Sequence, residues 1–203
     1  MQRLAFSIAL ATLIAADVKF KSAWRSMDAA QVSFAGKKVA ALVITDDDSL
    51  RVSGEEALVR ELTGRGLQMV ASYRIVPKEE LKNPDAAKGW YERSGVEGVV
   101  AVRPISADKV TTYTPATWTN PYYGTLWGYY GYGWGSVYIP GSSRQDTVVV
   151  VETLIFSVPL NQLLWAAVSE TKNPKQLQRF VNDLVTATAK EMQKQGLNRP
   201  QTR

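Results

Sequence analysis

The chain has 203 residues, is 45% hydrophobic and 21% charged, and carries a net charge of +5 at neutral pH. It has no cysteine and no histidine, which excludes disulfides, thiolate nucleophiles, Cys/His zinc centres and every Ser-His-Asp arrangement. Its basic residues are scattered among acids without forming a stripe, so no nucleic-acid partner is expected.

Met1-Gln2-Arg3 gives the chain a positive start. A largely apolar run, Leu4–Ile14, follows, and then Ala15-Ala16 and Asp17. This order reads as a signal peptide over residues 1–16: a short apolar helix enters the translocon, and the peptidase cleft takes small side chains. The run falls short of the roughly 20 residues that cross a bilayer. A periplasmic or cell-envelope protein is expected, soluble or peripherally attached. Residues 17–36 read as a polar lead-in, 37–196 as one α/β domain and 197–203 as a frayed tail.

Within the domain, Lys37–Thr45 is an apolar, β-branched run after Gly36 and predicts a buried strand. Asp46-Asp47-Asp48-Ser49 predicts a turn. Ser53-Gly54-Glu55-Glu56 has the form of a capping box, so a helix is expected from Ser53 to about Thr63, ended by Gly64 or Gly66. Gln68–Val76 predicts a second strand, broken by Pro77. Asn83-Pro84 opens a helix carrying Ala87, Trp90 and Tyr91, which Gly95 stops. Val96–Ile105 predicts a third strand. This strand and helix order implies parallel pairing.

The periodicity then lapses over 107–146, an insertion rich in Tyr, Trp and Gly. Thr147–Val158 and Leu163–Thr171 predict a hairpin around Pro159-Leu160-Asn161-Gln162. Asn173-Pro174 then starts a last helix to about Gln195, with Leu177, Phe180, Val181, Leu184, Val185, Thr188 and Met192 on one face and Gly196 as its cap. The expected fold is α/β: a mixed sheet of about five strands (three parallel β-α units, then an antiparallel hairpin) with helices packed on it, plus a long aromatic, glycine-rich loop.

Several short motifs recur in one order: Ser22-Ala23-Trp24; Gly36-Lys37-Lys38-Val39-Ala40; Asp46-Asp47 with Arg51 and Glu55-Glu56; Gly64-x-Gly66; Glu152-Thr153-Leu154; and Leu164-Trp165 before a helix. Together they resemble a family of small uncharacterised bacterial envelope lipoproteins across nearly the whole mature chain. The resemblance implies an envelope location but no activity. Family members carry a lipidated cysteine at the start of the mature chain, where Asp17 stands here after Ile14-Ala15-Ala16. The core also looks like the α/β domain of the TolB N-terminal region and of curli-secretion lipoproteins, which is an analogy of fold.

Two segments are candidate sites. Asp46, Asp47, Asp48, Arg51 and Ser53 lie after the first strand, where open α/β sheets bind ligands. Clustered carboxylates suit Mg²⁺ or Ca²⁺, whereas a helix N-terminus beside Arg51 suits an anion. Solvated turn and cap chemistry is the plainer reading of the same residues. The second segment, Tyr113–Tyr138, holds ten aromatics in 26 residues. Tyr122, Tyr123, Trp127, Tyr129, Tyr130, Tyr132 and Trp134 form its centre, interleaved with glycine. Such side chains give rigid contact area for a partner, or cover their own sheet. Trp24, Trp90 and Trp165 read as buried structural residues, and Arg103 with Glu152 as a pair across neighbouring strands.

The functional expectation is an exported, non-catalytic envelope protein that binds or scaffolds partners through the aromatic loop: a protein, a glycan or a membrane surface. No catalytic residue and no cofactor is assigned. The alternatives are a metal- or phosphate-dependent enzyme built on Asp46–Asp48 and Arg51, and a component of a secretion or surface-assembly machine.

Overall fold

The computed structural model describes residues 18–110, 124–133, 146–172, 174 and 177–197. The signal-peptide reading of residues 1–16 therefore lies outside the described residues, as do Tyr122, Tyr123 and Trp134. The backbone of Tyr132 is described, but its side chain is not.

The architecture is α/β, and the described residues place six strands in one mixed sheet of order β1-β6-β5-β4-β2-β3. Three parallel strands form one side: β2 (Lys38–Val43), β3 (Gln68–Ala71) and β4 (Gly98–Val110). The predicted hairpin is β5 (Asp146–Ser157) with β6 (Gln162–Lys172), and β5 also pairs antiparallel with β4. Asn161, with φ 47°, takes the left-handed conformation in the hairpin turn, which asparagine tolerates better than most residues.

The sixth strand corrects the lead-in reading. Lys19–Arg25 forms β1, an edge strand antiparallel to β6. Its sequence, KFKSAWR, has no apolar run because an edge strand keeps charges to resist further pairing. Trp24 is correspondingly 41% exposed and is not the buried residue expected. Trp165 is buried at 1% exposure, with Phe20 edge-on to it at 5.8 Å. β3 is also shorter than predicted. A 3-10 turn, Ser72–Arg74, replaces its second half.

Among the described residues, four α-helices cover the sheet. α1 (Asp48–Thr63) and α4 (Leu177–Lys194) lie on one face. Ala57, Leu58 and Leu62 of α1 and Leu184, Val185 and Met192 of α4 pack there on Val39, Ala41, Val43 and Val151. α2 (Pro84–Arg93) and α3 (Leu126–Gly133) lie on the other. Ala87, Tyr91, Leu126, Tyr129 and Tyr130 pack there on Ala40, Leu42, Ala101, Leu154 and Phe156. Asn83 caps α2 as predicted, its Oδ1 accepting from the amides of Asp85 and Ala86, and Gly95 turns the chain out at φ 67°. α4 begins at Leu177, later than Asn173-Pro174 suggested. α3 was not predicted at all; it lies inside the supposed loop. Among the described residues no helix is long and apolar enough to cross a membrane.

Candidate functional site

β2 lies between β3 and β4, and the helices that follow it and β3 cover opposite faces. The chain therefore leaves a crevice at the carboxyl end of β2, where open α/β sheets place their sites. The acidic turn sits at this end and itself begins the helix, five residues before the Ser53 start that the capping box suggested. Asp47 is the cap. Its Oδ1 accepts from the amide of Leu50 at 3.0 Å, and α1 starts at Asp48. Ser53 is therefore inside the helix, where its hydroxyl donates to the Leu50 carbonyl at 3.2 Å. The Asx cap formed first along the chain and left nothing for the later serine to cap.

Each of the three aspartates has a local role. Asp46 accepts from Lys82 at 2.6 Å. Asp48 accepts from Arg51 Nη2 at 3.0 Å and also pairs with Lys78. Hydrogen bonds from Lys78 and then Arg51 hold the Asp48 carboxyl below its ordinary value. Among the described residues no group of three or more acids that could hold a metal ion is assembled.

The deeper part of the crevice holds a residue that the sequence reading did not single out as a site. Glu55 is fully buried. Its Oε1 accepts from the amide of Val43 at 3.2 Å, and its Oε2 from the amide of Tyr73 at 2.8 Å. The pairing of β2 with β3 stops at Ala41 and Ala71, so both amides lie past the end of that ladder. One carboxylate satisfies both, as buried backbone donors require. Burial raises the Glu55 pKa to about 7, against the lowering effects of the Tyr73 and Val43 amides and the Arg51 charge. No local pattern marks this role: Glu56, beside it on the same helix, is only partly buried and pairs with Arg74.

Arg51 lines the same pocket of polar groups at 5% exposure, and its Nη1 has no hydrogen-bond partner among the described residues. Opposite, the Ser72 hydroxyl and the Tyr91 phenol lie 2.8 Å apart. Burial raises the phenols of Tyr91 and Tyr130 above their ordinary value, and the Glu55 charge adds to the effect on both. Tyr130 comes from the aromatic segment, so the two candidate segments meet in this crevice.

α3 also brings an aromatic, Tyr129, to a second buried carboxylate, Glu152 of β5. Tyr129, next to Tyr130, stacks on Phe156 at 5.5 Å and lies 5.7 Å beneath the Arg103 guanidinium. Arg103 and Glu152 face each other in register across β4 and β5. Burial raises the Glu152 pKa, opposed by the Arg103 charge and by the Tyr129 phenol. Tyr129 and Tyr130 are therefore core residues at 0% exposure, which corrects their assignment to a partner-facing surface. Trp127 is different. It is half-buried, at ring distances of 5.9 Å from Tyr91 and 6.0 Å from Tyr130.

No protein-family model and no curated protein matches the chain. Solved structures similar in backbone include the PelC dodecamer from Paraburkholderia phytofirmans, 13% identical over 91% of this chain and 99% of that chain, with a TM-score of 0.47. A PelC variant in a second crystal form is 14% identical over 90% and 99%, with a TM-score of 0.46. Lipoprotein GNA1162 from Neisseria meningitidis is 11% identical over 78% and 99%, with a TM-score of 0.41. Likenesses of this degree carry no argument about function.

Proposed function

We propose that the protein is an exported, non-catalytic component of the cell envelope that binds a partner through its aromatic segment, with Trp127 at the anchored centre. The observation that carries this reading is the placement of Trp127. Its neighbours Leu126, Tyr129 and Tyr130 are locked in the core, while its own ring packs on Tyr91 and Tyr130 and keeps part of its surface open. An aromatic held this way loses little conformational entropy when a partner covers it. The export reading rests on the apolar run Leu4–Ile14 and the resemblance to envelope lipoproteins. The engagement of Asp46, Asp47 and Asp48 by Lys82, the Leu50 amide, Arg51 and Lys78 supports a structural role for that turn.

The test is a variant in which Trp127, Tyr122, Tyr123 and Trp134 are each replaced by serine. Tyr129 and Tyr130 are kept so that the core is intact. Retention on isolated envelope glycan, on anionic vesicles and on cross-linked envelope proteins is compared with the parent chain. Loss of retention on one of these surfaces, with far-UV circular dichroism unchanged, supports the reading and names the partner class. Equal retention by both chains on all three overturns it.

A further inference from the structure

A second feature is independent of the aromatic segment. Between α1, α4 and the sheet lies a cavity of about 390 Å³. It falls within the range of pockets that take small ligands. Its wall is apolar: of the described lining residues, Ser106 alone carries a polar side chain. A cavity of this kind excludes water and takes apolar matter.

Burial along the wall gives the cavity a direction. One end is formed by Val43, Gly54, Leu58, Val102, Val151 and Leu184, all buried. The other end is a rim of Pro104, Ser106, Ala107, Val149 and Pro174, each exposed or partly so. The strand is irregular at that rim. The register of β4 on β5 shifts between Pro104 and Ser106, and a bulge bends a strand away from its ladder. Gly54 narrows the inner end from the helix side, since a Cβ there would stand 3.0 Å from Val43 Cγ2. From Leu50 to Leu58 the α1 wall runs about 12 Å at 1.5 Å per residue.

The geometry points to a binding site for a single unbranched acyl chain, inserted tail first between α1 and α4 with its polar end at the Ser106–Ala107 rim. The lining is buried at one end and open at the other, the described lining residues offer no charge to pair with, and the rim is where solvent begins. A ligand that is apolar along its length and polar at one end satisfies all three. A compact polar molecule satisfies none, since a buried polar group without a partner is costly.

The test uses the full chain and cis-parinaric acid, whose fluorescence rises in an apolar site. Saturable binding is expected. Displacement by octanoate, decanoate and dodecanoate should strengthen about fourfold for each added methylene. Val181→Trp fills the cavity and should weaken parinarate binding by tenfold or more. Ala107→Trp at the exposed rim blocks the mouth without touching the core and should do the same, so a failure of V181W to fold leaves the test intact. Binding that ignores chain length, or that persists unchanged in folded A107W, overturns the proposal. Neither variant touches Trp127, so loss of retention through the aromatic segment and loss of acyl binding are separately readable.

Discussion

The Arg103 guanidinium and the Glu152 carboxylate are joined by two contacts of 3.0 Å, from Nε and from Nη2, across directly opposed positions of β4 and β5. Both side chains are nearly closed to solvent, at 5% and 2% exposure. Removing one member of a buried pair strands the other. Arg103→Met should therefore cost about 3–5 kcal/mol in urea unfolding, whereas Arg103→Met with Glu152→Leu should recover most of the loss. A double variant as unstable as the single one would show that the charge pair stabilises beyond its own burial.

Glu55 gives stability a pH dependence of definite sign. Its folded pKa, about 7, lies above the ordinary carboxylate value, so the folded state prefers the protonated form. The stability that this preference provides is complete below the unfolded pKa, at about 4.3, and is lost as pH rises through about 7. The slope approaches about 1.4 kcal/mol per pH unit between those limits. Burial also raises the Glu152 pKa, which adds a contribution of the same sign. Glu55→Gln should flatten the chemical-denaturation profile over that window. An E55Q profile parallel to the parent's would assign the dependence elsewhere.

The helix that the sequence hid is central to the core. Tyr129→Ala and Tyr130→Ala should each cost about 3–5 kcal/mol, in line with the loss of other large buried aromatics. Deletion of 117–136 should abolish cooperative thermal unfolding, because it removes Leu126, Tyr129 and Tyr130 from the face shared with Leu154 and Phe156. A cooperative melt close to the parent's would mean that α3 is dispensable.

The start of α1 is also testable. Asp47→Ala should destabilise by about 1 kcal/mol through loss of the cap. Ser53→Ala should change stability by less than about 0.5 kcal/mol, since its hydroxyl only returns to its own helix. Equal effects would restore the capping-box reading of Ser53.

At the head of β4, a methyl group at Gly98 would stand 2.4 Å from the Phe34 ring. Gly98→Ala should therefore be strongly destabilising, and the double variant with Phe34→Leu less so than the single one predicts by addition. Differential scanning calorimetry of the three chains checks the coupling.

The parts of the fold legible in the sequence were those where one physical signal acted alone. The parallel strands showed as apolar runs because both faces are covered. α2 showed through Asn83-Pro84 and Gly95, and the Arg103–Glu152 pair through charges opposed on neighbouring strands. β1 was illegible because edge strands are selected for charge, and α3 because a helix buried among aromatics loses the polar stripe that marks a period. The crevice was half legible. Asp46–Asp48 and Arg51 announced it, but Glu55 did not: a carboxylate that satisfies two backbone amides looks, in one dimension, like any solvent-facing residue of a helix. The meeting of Tyr130 with Glu55 and Arg51 depends on a return of the chain over the sheet that no local pattern encodes.

The pairing of β1 with β6 has a consequence for assembly. Among the described residues, Lys19–Arg25 is the first strand, and it pairs with the last one, Gln162–Lys172. A chain delivered amino end first, from a ribosome or through a translocon, presents β1 before anything exists for it to pair with. Its docking waits on nearly the whole domain, and contacts of such long sequence separation form slowly. Until then the outer edge of β6 stands open, so the interval before the first strand arrives is when two nascent copies are most able to exchange strands. Lys19, Lys21 and Arg25 then keep like-charged neighbours apart during the wait.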